Sequence, residues 1–403
     1  LEAYDRYLRG NALTTRPKWF VPQARRDAVR MYEVAVARDP AFAAAWARLA
    51  LAHGRLYQYS DDRRPERLAL ARAAALRAFA LDSTLPEASL ARARFADDRD
   101  RTIERYAIAL RAHPNSADLL FAMGEEQRRL GRLEEALTSV ARAAALDPLS
   151  PNGPAEMANI YDVRRDYAAA VREREREIEL TPDNATAYVA QALSYVNWRG
   201  DTAAAARMLG RAAAPGPARL VQVLASPGGL LASRVLWPAL DAETRRFLDT
   251  ARVTAALGAP WNVHRLKAEH FERSGRPTVA RAHYDSARTL LEERLRRQPA
   301  DAELHGALGL AYAALGRRND ALREGRLCVE LRRPSQYAGD SLTFTFTHAM
   351  IAARVGAADV VVAQLVAGLP TYPSVSPYWL RLDPVWDPIR GDPRFQRLAR
   401  GRS

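Results

Sequence analysis

The sequence predicts an all-α fold, a right-handed superhelical solenoid of antiparallel helix pairs closed by a C-terminal cap. Three observations carry this. Alanine, arginine and leucine, all strong helix formers, dominate the chain. Pro114, Pro148 and Pro182 stand 34 residues apart, and Pro299 and Pro334 stand 35 apart. A two-helix unit repeated at that spacing stacks into a solenoid. Finally, the chain ends on "LRLDPVWDPIRGDPRFQRLAR" (380–400), where Asp-Pro occurs three times in a stretch that restarts every few residues.

The unit His113–Pro148 shows why the pattern folds as it does. Gly124 and Ala136 fall at positions 8 and 20, where the two helices of one unit cross and only small side chains allow close approach. Gly131 lies between the helices, suited to a left-handed C-cap. Val140 and Ala143 extend the buried face of the second helix. The closing proline cannot continue a helix and sets the next turn. The same choices recur as Gly309, Gly316, Ala321 and Cys328, and as Ala268, Gly275, Ala280, Tyr284 and Ala287. Ala28, Tyr32 and Ala35 mark the first unit, and Trp46, Leu49, Ala50, Ala71, Ala75 and Ala78 the second. Nine units follow: 1–40, 41–85, 86–114, 115–148, 149–182, 183–215, 259–299, 300–334 and 335–369.

Three stretches depart from the period. The second unit carries an insertion around 57–66, and the third is short, with a clipped helix or tight turn expected near 97–100. Segment 216–258 has no period and is punctuated by Pro217, Pro227, Gly228, Gly229 and Pro238. It reads as short helices joining two repeat blocks, a hinge or a degenerate repeat. The domain organisation expected is therefore an N-terminal block over 1–215, an irregular connector over 216–258, a C-terminal block over 259–369 and a cap over 370–403. "SLTFTFTHAM" (341–350) alternates like a strand, but repeat register places it in a first helix, and a lone strand would have no partner.

The ending is read as the cap. The last helix of a stacked array leaves an apolar side open. Asp before proline starts a helix well, with Asp as N-cap and proline at N1. Asp387-Pro388 and Asp392-Pro393 are expected to begin two short turns, with Trp379, Leu382, Trp386, Ile389, Phe395 and Leu398 covering the last repeat. The competing reading makes Trp379 and Trp386 a ligand surface.

Composition narrows the function classes. The 403 residues are 48% hydrophobic and 27% charged, enough for a large core. The longest apolar candidate, Val360–Leu369, is ten residues and contains Gln364, short of the roughly 18 a membrane span needs. Nothing at the N-terminus resembles a signal peptide, and a start at Leu1 suggests a fragment or processed product. Compartment is therefore open, with a bacterial cytoplasm favoured and a periplasmic side compatible. The single cysteine, Cys328, excludes a disulfide framework and a cysteine zinc site, and is expected in a buried helix position. Net charge is +13, which invites a nucleic-acid or polyanion reading. Only Lys18 and Lys267 are lysines and the other 58 basic residues are arginine, spread along the chain and interleaved with acids. That skew reads as coding bias rather than a selected basic face.

The unit His113–Pro148 and its copies resemble the tetratricopeptide repeat family over nearly the whole chain. Residues 283–331 and 373–398 resemble the C-terminal repeat region of large bacterial signalling proteins, in which such repeats follow a serine/threonine kinase, cyclase or winged-helix domain. "EAYDRYLRGNAL" (2–13) is similar to the start of their arrays. No glycine-rich phosphate loop, kinase catalytic loop or Asp-Phe-Gly is present, and the glycines of "GALGLAYAALG" (306–316) fall on packing and turn positions.

Catalytic chemistry is not signalled. Among His53, His113, His264, His270, His283, His305 and His348 no pair has the i, i+4 spacing of a helical zinc site. No nucleophile elbow occurs, and the acids of "REREREIEL" (172–180) are expected on an exposed face. No cofactor, no metal and no enzymatic activity are expected. The resemblance instead implies a groove lined by positions 2, 5, 9 and 12 of each first helix. These are Asp118, Phe121, Glu125 and Arg128, then Asn152, Ala155, Asn159 and Asp162, then Thr186 and Val189. Such a mixed lining suits an extended peptide or a partner helix. Family members that hold acidic chaperone tails use lysines with asparagines; Asn159 matches in kind, but the lysines are absent. The reading is a protein-interaction scaffold or sensory arm, with an arginine-rich polyanion binder as alternative. A continuous arginine stripe in the groove would favour the alternative.

Overall fold

The computed structural model describes residues 1–14, 22–58, 64–95, 101–226, 229–331, 338–369 and 375–401. The turn expected at 97–100, insertion residues 59–63, and Pro227, Gly228 and Pro334 lie outside them.

Among the described residues the chain is all-α, without a strand. Helices follow in consecutive pairs: α1 (Glu2–Leu13) and α2 (Pro22–Arg38), α3 (Ala43–Gln58) and α4 (Pro65–Leu81), α5 (Pro86–Phe95) and α6 (Thr102–Ala112), α7 (Ala117–Arg129) and α8 (Leu133–Leu146), α9 (Asn152–Val163) and α10 (Tyr167–Leu180), α11 (Ala185–Arg199) and α12 (Thr202–Ala213). The aperiodic segment forms α13 (Pro217–Leu224), α14 (Leu230–Val235), a 3-10 turn (Trp237–Ala239) and α15 (Ala242–Thr250). Three more pairs follow: α16 (Pro260–Arg273) and α17 (Pro277–Arg297), α18 (Ala302–Ala314) and α19 (Arg318–Glu330), α20 (Ala338–Arg354) and α21 (Ala358–Gly368). The chain closes with α22 (Pro377–Leu382), a 3-10 helix (Pro384–Ile389) and α23 (Pro393–Arg400). The alternating stretch 341–350 is helical, inside α20.

Local chemistry sets the helix ends. Ser116, Asp201, Asp241 and Asp301 accept backbone N–H groups at the starts of α7, α12, α15 and α18. The turn inside the repeat is a Schellman motif: Arg132 N–H donates to Gln127 O at 2.8 Å across Gly131, whose φ is +78°. Arg276 to Phe271 O, Arg317 to Tyr312 O and Ala357 to Ala352 O repeat it across Gly275, Gly316 and Gly356. In the fifth unit Arg165 takes the left-handed place, at φ +60°.

The chain divides into two compact units, Leu1–Ile160 with Glu175–Asn184, and Tyr161–Arg174 with Ala185–Ser403. In the first, alanines fill the helix crossings: Ala28, Ala35, Ala45, Ala50 and Ala78 are fully buried around Tyr32 and Leu49. A side chain on Gly124 would meet Val140 Cγ2 at 2.4 Å and Ala136 O at 3.2 Å, so α7 and α8 touch at the expected crossing. In the second unit Gly309 is hemmed in by Ile351 and by the backbone of α19. Cys328 is buried against Gly306, and burial pushes its thiol pKa up, as for a packing residue rather than a reactive one.

The ending forms a cap. Phe346 of α20 meets Trp379 edge-on at 6.0 Å, Trp379 meets Trp386 at 5.3 Å, and Trp386 meets Phe395 at 5.8 Å. Trp379 and Trp386 are 1% and 0% exposed, which removes the ligand-surface reading. The start of the cap differs from expectation. Asp387-Pro388 begins nothing; Pro388 lies inside the 3-10 helix, which starts at Asp383-Pro384 with Asp383 accepting from Val385 N–H. Proline disrupts an α-helix through the bond to and the clash with residue i−4, and a 3-10 helix bonds to residue i−3 instead. Asp392-Pro393 does begin α23.

Candidate partner-binding face

In the first unit three of the residues expected to line a groove, Asp118, Glu125 and Arg128, belong to a row of ion pairs running from helix to helix. Arg48 of α3 reaches Glu87 of α5 at 3.6 Å and Asp118 of α7 at 3.8 Å. Arg94 of α5 reaches Glu125 of α7 at 3.3 Å. Arg128 of α7 donates to Glu156 of α9, whose other oxygen accepts from Asn159 Nδ2 at 2.9 Å. Each pair joins the first helix of one unit to a first helix farther along, so these side chains share one face. Charges of both signs alternate on it. Asp118 is exposed and Phe121 half-buried, while Glu156 is buried. Asn152 is half-buried at the start of α9, its Oδ1 without a hydrogen-bond partner, and Ala155 is fully buried.

Ahead of this row α1 contributes aromatic rings. Tyr7 packs on Phe42 at 5.0 Å and on Tyr32 at 6.2 Å, and Tyr4 lies over Tyr7 at 6.1 Å. Tyr32 donates to Asn11 Oδ1 at 2.8 Å, and burial pushes its phenol pKa up.

The other three groove positions lie in the second unit. Asp162 accepts from Ser194 Oγ at 2.8 Å, with Arg174 at 3.8 Å; burial pushes its carboxyl pKa up to about 6 against the pull of Arg174. Thr186 is half-buried. Val189, only 4% exposed, packs in the core, which departs from its expected place on a groove lining. The acidic-basic run 172–180 also departs from expectation, because Arg174 and Glu177 are buried; Glu177 accepts from Asn184 Nδ2 at 3.2 Å.

Sequence reasoning missed a second polar centre, wholly inside the second unit. Arg234 of α14 grips Asp383 with two bonds of 3.0 and 3.1 Å and donates to Glu269 of α16 at 3.1 Å. Glu269 also accepts from Arg265 at 2.9 Å, and Arg273 donates to the Arg234 carbonyl. These groups are buried, and the arginines hold the Glu269 carboxyl below its usual range against the cost of burial. The centre adjoins a cavity of about 10 Å³ lined by Arg234, Trp261, Arg265, Tyr284 and Arg354, room for one water. That size and the saturated bonding make it structural. The only local signal was Asp383 before proline.

Among the described residues no group of three or more His, Cys, Asp or Glu side chains is placed to hold a metal ion, and no helix is long and apolar enough to cross a membrane.

No family model matches the chain, and no curated protein does. Solved structures similar to it include a human IFIT1 dimer with PPP-AAAA, at 16% identity and TM-score 0.42, covering 77% of this chain and 69% of that one. TTC0263, a thermophilic TPR protein of Thermus thermophilus, has 20% identity and TM-score 0.39, covering 48% and 99%. YrrB, a TPR protein with an unusual peptide-binding site, has 19% identity and TM-score 0.31, covering 46% and 92%. With TM-scores below 0.5, none of these likenesses carries a functional argument.

Proposed function

We propose that this chain is a non-enzymatic interaction scaffold of the tetratricopeptide type, the repeat region of a bacterial signalling protein, which binds a peptide or protein partner on the first-helix face of its repeats. The observation that carries the reading is the row of pairs Arg48 with Glu87 and Asp118, Arg94 with Glu125, and Arg128 with Glu156. Every arginine in it is matched by a carboxylate of a neighbouring helix. A face of alternating sign with half-buried Phe121 suits a chain bearing both charges and an apolar anchor. The polyanion alternative rests on the net charge of +13. It calls for a continuous arginine stripe, and the described row is interrupted by acids.

The purified chain, with Asp118→Arg and Phe121→Ala variants, would serve as bait in bacterial lysate after nuclease treatment. The scaffold reading expects a defined set of proteins, retained as salt rises from about 50 to 200 mM and lost from the variants. Capture dominated by nucleic acid, falling steeply over that salt range and indifferent to the two variants, would overturn it.

A further inference from the structure

The hairpin of α16 and α17 brings together two histidines 19 residues apart. His264 Nδ1 and His283 Nδ1 are separated by 2.8 Å, with ring centroids 5.0 Å apart. Both rings are half-buried, so solvent reaches them. The His283 ring is steadied by stacking on Phe271, at 5.3 Å and 10° between planes.

Two imidazole nitrogens this close have two uses. They share one proton, one ring donating and the other accepting, or they hold a cation between them. Affinity of nitrogen ligands for first-row dications rises through Ni2+ to a maximum at Cu2+, and both ions take tetragonal sets of nitrogen and oxygen ligands. We propose that His264 and His283 form a two-imidazole site for a tetragonal first-row dication, Cu2+ or Ni2+, bound through the two Nδ1 atoms with water in the remaining positions.

A metal engages the neutral form of each ring. The step balances without release of a proton. The ring that carries its proton on Nδ1 shifts it to Nε2 as the metal takes the Nδ1 lone pair. The cation opposing binding is Lys267, and it is tethered: its ammonium donates to the carbonyls of Leu248 and Ala251 at 2.7 Å each and of Asp249 at 3.4 Å. Sequence spacing concealed the pair, because the two histidines sit on different helices.

The test is a calorimetric titration of the whole chain with Cu2+, paired with frozen-solution EPR. His264→Gln, His283→Gln and the double variant are compared with a distant control, His113→Gln, each checked for helicity by circular dichroism. One Cu2+ per chain is expected, with nitrogen hyperfine structure from two imidazoles. Each single variant should weaken binding by about tenfold or more and leave one imidazole, a loss of roughly 1.4 kcal/mol or more, while His113→Gln changes nothing. Equal affinity and an unchanged spectrum in the double variant would place the copper elsewhere, at the N-terminal amine for example, and overturn the proposal. Should a variant lose its helicity, the wild-type EPR decides alone: a spectrum without two equivalent imidazole nitrogens overturns the proposal.

Discussion

Arg234 and Asp383, 149 residues apart in sequence, form a two-pronged ion pair in which the carboxylate is fully buried. It ties the aperiodic segment to the cap, and Asp383 simultaneously caps the 3-10 helix through Val385 N–H. A buried pair gains little over a well-packed apolar pair, but breaking it strands a charge in the core. Asp383→Ala should therefore cost about 3–5 kcal/mol. The joint change Arg234→Met with Asp383→Leu should recover part of that loss. Urea unfolding followed by tryptophan emission, which reports on Trp379 and Trp386 in the cap, measures both. A loss below about 1 kcal/mol for Asp383→Ala would mean the pair is not buried as described.

Gly124 and Gly131 separate two reasons for glycine in the repeat. At Gly124 the obstacle is packing, because an added Cβ meets Val140 Cγ2 at 2.4 Å. Gly124→Ala should cost about 1–3 kcal/mol through overpacking, and Val140→Ala in the same chain should relieve part of it. At Gly131 nothing lies within 4 Å of the added atom, but φ is +78°. Gly131→Ala should cost about 1 kcal/mol from the backbone alone, and Val140→Ala should not relieve it. A double-mutant cycle on thermal unfolding distinguishes the two.

His305 should impose a pH dependence on the second unit. Its Nδ1 lies 2.6 Å from Glu324 Oε2 and its Nε2 lies 2.9 Å from Pro299 O. Both nitrogens face acceptors, so only the imidazolium satisfies both. The Glu324 bond raises the pKa most, against burial and with help from Pro299. A raised folded-state pKa makes the contribution full below the unfolded value of about 6.5 and lost as pH rises through the folded value. The stability difference between wild type and His305→Gln should be largest near pH 5.5 and shrink toward pH 8. An NMR titration placing the His305 pKa below 6.5 would contradict the assignment.

These residues show where sequence reading reaches and where it stops. Helix pairs, crossings and turns depend on contacts within one unit, so proline spacing, Gly124 and Gly131 announced them. Burial of Trp379 and Trp386 followed from the need of any stacked array for a cap. What was illegible arises between distant segments. Arg234 sits in an aperiodic stretch with nothing to point it toward Asp383. Val189 belongs by register to the groove but is buried, and His264 and His283 meet only because α16 and α17 fold back on each other. Asp387-Pro388 misled because Asp383-Pro384, four residues earlier, offers the same start, and the helix it begins is short enough to run through Pro388.

The row of ion pairs along the first helices itself predicts unequal costs. Asp118 and Arg128 stand at positions 2 and 12 of the same first helix, α7, but their partners differ. Glu156 has a side chain only 3% exposed, so Arg128→Ala leaves a desolvated carboxylate held by Asn159 alone among its described groove contacts. The loss should be about 1–3 kcal/mol. Asp118 is 57% exposed and meets Arg48 at 3.8 Å, and an exposed pair at that distance is worth about 0–1 kcal/mol. Asp118→Ala should leave the unfolding midpoint nearly unchanged. Partner loss in Asp118→Ala or Phe121→Ala would therefore report on the face, whereas loss in Arg128→Ala mixes recognition with destabilisation of α9. Chemical unfolding of the three variants side by side checks the order, and a cost for Asp118→Ala equal to that of Arg128→Ala would show that the row is held together as a network rather than as separate pairs.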